Sequence, residues 1–258
     1  MSFKKHLTRQ ADHITCSLDT PITFIGGGAI GSFAALQAAK MGCTNITVWD
    51  DDEVSVENMN CQFFPFRSIG RRKVDALAEL IHDFTQVEIQ TRPRRYTGSV
   101  KLDGIVITSV DSMAARKAIW DANKDHARCN IIIDPRMSIE DALMYVMNPN
   151  CKKDQAEYEA TLYTDDEAAS ERCTAKATIY TANLLSGLVV KALKNHLMNE
   201  SYPRITMWSI RHNDFISWDN RGEDDERNTN RYVEAAARVL PGHPAGRVGT
   251  SVGQTTIQ

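Results

Sequence analysis

Paired cysteines are missing from this sequence. Cys16, Cys43, Cys61, Cys129, Cys151 and Cys173 are scattered, and no two stand in a CxxC spacing. That excludes a zinc site built from paired cysteine knuckles, so no structural zinc is expected, and it gives no sign of a disulfide framework. Most of the thiols are expected to be small core residues. Long apolar runs are missing too: nothing approaches the ~20 residues a membrane-crossing helix needs. The opening Met1-Ser2-Phe3-Lys4-Lys5-His6-Leu7 has no apolar core of a secretion signal, and a cytoplasmic location is expected. There is no excess of positive charge: the formal net charge is −3, so a nucleic-acid partner is not expected. Internal repeats are also absent, which argues against a solenoid. What remains is 258 residues, 42% of them hydrophobic, enough for one large α/β domain or a domain with an appendage.

The chain is organised around Ile22-Thr23-Phe24-Ile25-Gly26-Gly27-Gly28-Ala29-Ile30-Gly31-Ser32. A short β-rich run turns on glycines and continues into Phe33-Ala34-Ala35-Leu36-Gln37-Ala38-Ala39, which reads as helix. Gly26, Gly28 and Gly31 fit the GxGxxG spacing. The first amides of a helix lack internal partners and carry partial positive charge, so such a turn attracts phosphate. A second strand, Ile46-Thr47-Val48-Trp49, ends in Asp50, ~20 residues after the last glycine, where an acid can bond a ribose hydroxyl. The alternative is a glycine turn that merely packs helix on strand.

Before this unit, residues 3–13 read as a short helix. After it, Asp50-Asp51-Asp52-Glu53 opens an acidic loop that runs to Phe64. So many carboxylates repel one another unless cations or Mg²⁺ lie near. An amphipathic helix is expected over Ile69 to Phe84, with Lys73 in its first turn, where a lysine opposes the helix dipole and a phosphate would explain it. Strands are expected at Val87 to Thr91, Gly104 to Thr108, Ile131 to Asp134 and Leu143 to Met147, the last as part of an antiparallel extension. Ser109-Val110-Asp111-Ser112 follows the Gly104 strand, at the edge where parallel sheets bind ligands, and a helix from Ala114 to Lys124 comes next. Asn148 to Arg172 reads as a crossover loop, Cys173 to His196 as a long helix and Arg204 to Ile210 as a strand. The expected fold is α/β, a Rossmann-like doubly wound, mostly parallel sheet. Residues 1–221 would form the domain and residues 222–258 a polar tail.

Several motifs stand in one order: Thr8-Arg9-Gln10, the glycine turn, Asp50-Asp51-Asp52 with Asn58 and Gln62, Gly70 with Lys73, Ser109-Val110-Asp111 with Arg116, and Cys173-Thr174-Ala175-Lys176. This set resembles the ThiF/MoeB/HesA superfamily, which contains the ubiquitin-activating-type adenylyltransferases, over roughly residues 5 to 200. The resemblance implies ATP and Mg²⁺, and attack on the α-phosphate by the C-terminal carboxylate of a small ubiquitin-like or sulfur-carrier protein ending in Gly-Gly. The barrier there is electrostatic, because two anions must meet. It also implies roles. Gly26, Gly28 and Gly31 would bring amides to the phosphates, and Asp50 would hold the ribose with Asp52 nearby. Asn58 and Gln62 would touch phosphate or ribose. Lys73 would neutralise the triphosphate, Asp111 would hold Mg²⁺, and Arg9 would reach into the partner's site of a two-fold homodimer.

Plainer roles are open for each residue. Asp50 could cap a turn, Asp52 and Arg9 could be solvated surface charges, and Asn58 and Gln62 could be loop hydrogen-bonders. Lys73 could be solvated, Asp111 could cap the next helix, and Arg116 could pair with the acidic loop. One departure stands out: the family has arginine before its glutamine, where this chain has Cys61. Arg136 is a candidate substitute; a salt bridge to Asp134 or Asp141 is its alternative. Cys173, expected at a helix start between Arg172 and Lys176, resembles the thioester-forming cysteine of compact modifier-activating enzymes. A buried packing role is its alternative, and Cys151 is the next candidate nucleophile.

Other functions compete. The same fold could serve an ATP-dependent dehydratase of a tRNA nucleoside. Loss of arginine at Cys61 favours a non-catalytic dimeric nucleotide-binding scaffold. An NAD-dependent oxidoreductase would have no obvious use for the acidic loop, Lys73 and Asp111.

Overall fold

The computed structural model describes residues 3–162 and 177–219. The elements are β1 (Ile22–Ile25), α1 (Ala29–Met41), β2 (Ile46–Trp49), α2 (Lys73–Thr85), β3 (Gln90–Arg92), β4 (Gly104–Thr108), α3 (Met113–Asn123), β5 (Cys129–Met137), β6 (Asp141–Met147), α4 (Lys152–Glu159), α5 (Ile179–Leu197), β7 (Ile205–Ser209) and β8 (Asp214–Trp218). All strands join one sheet in the order β3-β2-β1-β4-β5-β6-β7-β8. From β3 to β5 the neighbours run parallel, and from β5 to β8 antiparallel. The expected parallel sheet with an antiparallel extension is therefore present.

Strand alternation sends side chains to two separate cores. Ile22, Phe24, Ile105, Ile107, Ile131 and Ile133 pack under α1, α2 and α5 on one face. Ile25, Val106 and Ile132 pack against Ile119 and Trp120 of α3 and Tyr158 of α4 on the other. With helices on both faces, the sheet is doubly wound. Its chain order reverses between β1 and β4, the switch point at which such sheets bind ligands, just beyond the strands' carboxyl ends.

α1 is buried nearly all round because sheet, α2 and α5 all press on it. It stops at Gly42, whose φ of +117° lets its amide and that of Cys43 bond back to the last turn. The N-terminal segment forms a 3₁₀ helix, Phe3–Gln10. Its Gln10 amide donates to the Met41 carbonyl, so it rests on the far end of α1 from the glycine turn.

The structure departs from the sequence reading at several places: β3 is Gln90–Arg92 rather than Val87 to Thr91, and β5 continues through Arg136 to Met137 because it pairs with β6 over that length. α2 starts at Lys73 rather than Ile69, because Gly70 takes a φ of +80° and Arg72 is extended. The expected loop from Asn148 contains α4, whose polar sequence shows little periodicity and is fixed by burying Asp154, Gln155 and Tyr158. The long helix α5 begins at Ile179, capped by the Thr178 side chain, and not at Cys173. Edge strand β8 was not expected from sequence. Cys173 and residues 222–258 lie outside the described residues.

Candidate functional site

β1 delivers the glycine turn to the switch point. Gly26 has a φ of +98°, and a Cβ there would sit 2.3 Å from the Ser109 carbonyl oxygen. A Cβ on Gly31 would sit 2.0 Å from the Gly26 oxygen. These two glycines are required by the close approach of β1, β4 and α1. Gly28 is different: a Cβ there would meet only Gln62 Nε2, at 3.8 Å. The turn thus leaves space in front of Gly28, which is the N-cap of α1 and gives that helix no side-chain cap.

Asp50 closes the turn from the side. Its carboxylate accepts from the Gly27 amide at 2.6 Å and from the Asp52 amide at 2.8 Å. Burial pushes its pKa up, against the pull of those amides and of Lys73. The acidic loop is then folded back. The Val54 amide donates to the Arg71 carbonyl, the Gly70 amide to the Val54 carbonyl, each at 2.8 Å, and the Lys73 amide to the Asp52 carbonyl at 2.9 Å. This brings the first residue of α2 beside the loop. Lys73, almost fully buried, places its ammonium 2.8 Å from Asp52. Asp51 pairs with Arg95 at 3.2 Å. The three carboxylates lie close together, and each has its own donor or cation, which answers their repulsion.

Asn58 and Gln62 sit on the same loop. Asn58 Oδ1 accepts from the Ser55 amide at 3.1 Å, a capping box that shapes a short 3₁₀ turn. The Gln62 side chain faces Gly28, and its buried Oε1 has no hydrogen-bond partner among the described residues. Ser32 on α1 accepts from the Phe63 amide at 3.0 Å and ties the loop's end to the helix. Cys61 is half-buried; burial raises its thiol pKa, partly offset by Lys73.

At the other wall, Ser109 donates to the Gly26 carbonyl at 2.7 Å. Ser112 caps α3, accepting from the Ala115 amide at 3.2 Å, so the cap is not Asp111. Asp111 is exposed one residue earlier, with no hydrogen bond to its carboxylate among the described residues. Lys73 follows the loop after β2, and Asp111 follows β4. They flank the β1 turn at the same edge of the sheet.

Of the two arginines singled out from sequence, Arg136 takes the salt bridge to Asp134 that was its alternative, and Arg116 takes a partner other than the acidic loop. Arg136 does not serve the crevice in place of an arginine at Cys61. It is buried, with Nε 2.8 Å from Asp134, both its terminal nitrogens on Thr161, and Tyr145 and Tyr158 against its plane. Arg116 pairs with the same Asp134, not with the acidic loop. Cys151 lines a cavity of about 290 Å³ with Asn130, His196 and Arg204, where β5 starts. That cavity is one strand length, about 16 Å, from the glycine turn, and its Arg204 is already paired with Asp154 and Glu157. Cys43 and Cys129 are core thiols with pKa values pushed by burial to about 12. Arg9 is exposed beyond the C-terminal end of α1, about 20 Å along that helix from its own chain's glycine turn.

Sequence reasoning missed Ser109 as a fastener of the glycine turn and Arg95 as the partner of Asp51. No local signal marks either, since each contact joins the ends of neighbouring strands across 83 and 44 residues of sequence.

A family model described as the ThiF family matches residues 17–233. The chain belongs to the ThiF family. It is similar, at 29% identity over 118 residues, to ubiquitin-like modifier-activating enzyme 5 of Caenorhabditis briggsae, a match covering 39% of this chain and 27% of that one. It is 28% identical over 108 residues to the adenylyltransferase and sulfurtransferase MOCS3 of Culex quinquefasciatus, covering 39% of this chain and 25% of that relative. It is 28% identical over 109 residues to the sulfur carrier protein ThiS adenylyltransferase of Escherichia coli K12, covering 40% of this chain and 43% of that relative. The matches thus span less than half the length of these curated ThiF-type relatives. Among solved structures, Escherichia coli MccB with ATP aligns with a TM-score of 0.62 at 14% identity, over 85% of this chain and 68% of that one. Escherichia coli tRNA N6-threonylcarbamoyladenosine dehydratase, TcdA, aligns with a TM-score of 0.60 at 18% identity, over 76% of this chain and 95% of that one. At such identities these neighbours establish the ThiF-like fold.

Proposed function

We propose that this chain uses ATP with Mg²⁺ to adenylate the C-terminal carboxylate of a small ubiquitin-like or sulfur-carrier protein ending in Gly-Gly. A carboxylate oxygen attacks the α-phosphorus, the bond to the bridging oxygen breaks, and pyrophosphate leaves. What carries the reading is one juxtaposition: an uncapped helix start with open space at Gly28, flanked by Asp50 and by the nearly buried Lys73. The free amides and Gly28 would cradle phosphates, Asp50 would accept from the ribose, and Gln62, whose Oε1 has no partner among the described residues, would turn to the nucleotide. Lys73 would exchange Asp52 for the triphosphate, offsetting charge as the two anions meet. Asp111 would hold Mg²⁺, which neutralises phosphate oxygens. Asn58 would support the loop.

The reading extends to a homodimer in which Arg9 reaches the partner's crevice, supported by its distance from its own. Cys173 would take the acyl group as a thioester, its thiolate attacking the acyl carbonyl while AMP leaves. It stands five residues before Thr178, which donates to the Ile139 carbonyl at 3.0 Å in the β5–β6 turn, at the crevice's edge of the sheet. Pyrophosphate exchange is the test. Exchange should require the carrier protein and Mg²⁺ and vanish in Asp111→Asn; exchange that ignores both carrier and Asp111 sinks the reading. A reductant-sensitive adduct lost in Cys173→Ala would assign the thioester.

The 95% coverage of the TcdA chain favours a second reading, ATP-dependent dehydration of a tRNA nucleoside. ATP turnover driven by tRNA and indifferent to carrier proteins would select it.

A further inference from the structure

We propose that Arg116 is a positioning residue that sets the metal-holding geometry of Asp111; the inference rests on the Mg²⁺ role proposed above for Asp111. Arg116 lies in the first turn of α3 and is almost fully buried. Its guanidinium donates to the carbonyls of Thr108 at 3.1 Å, Val110 at 2.5 Å and Pro135 at 3.4 Å, and it pairs with Asp134. Thr108 and Val110 bracket Ser109, and Asp111 is the next residue along. From the opposite side, the Ser109 hydroxyl holds the Ile25 and Gly26 carbonyls at 3.1 and 2.7 Å. The strand end carrying Asp111 is thus fastened twice, to the glycine turn by Ser109 and to β5 by Arg116.

The ion pair is itself anchored. Asp134 has no exposed surface and also accepts from Arg136 Nε and from the Tyr158 hydroxyl, each at 2.8 Å. A buried ion pair stabilises little compared with apolar side chains of the same volume, because desolvation offsets the attraction. What it supplies is direction. A planar fork with five donors can hold three carbonyls and a carboxylate at once, which a lysine cannot reproduce. The consequence reaches Asp111 through the backbone, since the Val110 carbonyl belongs to the peptide unit that carries the Asp111 amide. Removing Arg116 leaves Asp134 with Arg136 and Tyr158, so the core retains a paired carboxylate.

Arg116→Lys in the full chain tests this with two readouts that need no turnover. The first is hydrogen exchange of the amides of residues 109–112 without ligand; the second is binding of Mn²⁺ to the protein–ATP complex. Exchange at these amides should quicken roughly tenfold or more, and Mn²⁺ should bind about tenfold more weakly, while metal-free ATP binding stays as in the wild type. In an Asp111→Asn background Arg116→Lys should cost no further Mn²⁺ affinity. Unchanged exchange, unchanged Mn²⁺ binding or an additive effect in that background overturns the positioning role. Arg116→Gln, able to reach one carbonyl, carries the same readouts if the lysine variant does not fold. A wild-type protein that binds no Mn²⁺–ATP overturns the nucleotide reading itself. A wild type that binds normally beside an equally competent Arg116→Lys overturns only this proposal.

Discussion

Lys73 and Asp52 form an ion pair of 2.8 Å in which the two partners meet water very differently. The lysine side chain is 7% exposed and the carboxylate 62%. A charge kept this far from solvent beside an open crevice is available to a second anion. Asp52, by contrast, is hydrated whether or not the lysine leaves it.

Lys73→Met should therefore separate function from stability. Asp52 stays solvated when the lysine goes, so unfolding free energy should change by less than about 1 kcal/mol. Pyrophosphate exchange should fall by about 10²–10³-fold, the usual cost of losing a preorganised charge. A urea titration read beside the exchange assay checks both; an active Lys73→Met variant would remove this residue from the chemistry.

The three glycines should divide under Ala substitution. At Gly26 and Gly31 the new Cβ would lie 2.3 and 2.0 Å from backbone oxygens, so both variants should lose more than about 3 kcal/mol or fail to fold. Gly28→Ala meets nothing closer than 3.8 Å and should fold normally. Its ATP binding should weaken by about tenfold or more, because the methyl fills the space beside the helix amides. Calorimetry and circular dichroism on the three proteins distinguish the two outcomes.

Asp50 gives a pH signature. Burial raises its folded pKa above the unfolded value, so between the two the folded state binds the extra proton. Its contribution to stability is full below the unfolded pKa and is lost as pH rises through the folded one. Asp50→Asn removes this titration. The stability of the variant relative to wild type should therefore climb with pH across and just above the ordinary carboxylate range. A difference that stays flat there would show that Asp50 titrates normally.

Asp134 bears on stability rather than chemistry. Asp134→Ala leaves two buried guanidiniums without their carboxylate and should cost about 3–5 kcal/mol. Arg136→Met leaves Asp134 with Arg116 and Tyr158 and should cost less, about 1–3 kcal/mol. If denaturant midpoints rank the two variants the other way, the shared-carboxylate account is wrong.

The sequence by itself determined whatever rests on neighbours along the chain. The short apolar runs of Ile22–Ile25 and Gly104–Thr108, the glycine turn and Asp50 at the end of β2 are local signals, and each appears where the sequence put it. Ordered motifs were enough for the family. The tertiary structure alone decided the partners of Arg116 and Arg95 and chose between the two roles left open for Arg136. Arg116 turns inward to Asp134 of β5 and Arg95 reaches Asp51, across 18 and 44 residues of sequence, while Arg136 takes the Asp134 two residues before it on the same strand, a pair the sequence had offered. Helix α4 and strand β8 were illegible for the same reason: α4 has weak periodicity and is fixed by burial against β6, and β8 exists only as a partner of β7. Strand order also put Cys151 at the opposite edge of the sheet from the glycine turn. A charged or cysteine side chain carries its chemistry in its identity, but what it can reach is fixed by strand order and register, which no short window of sequence encodes.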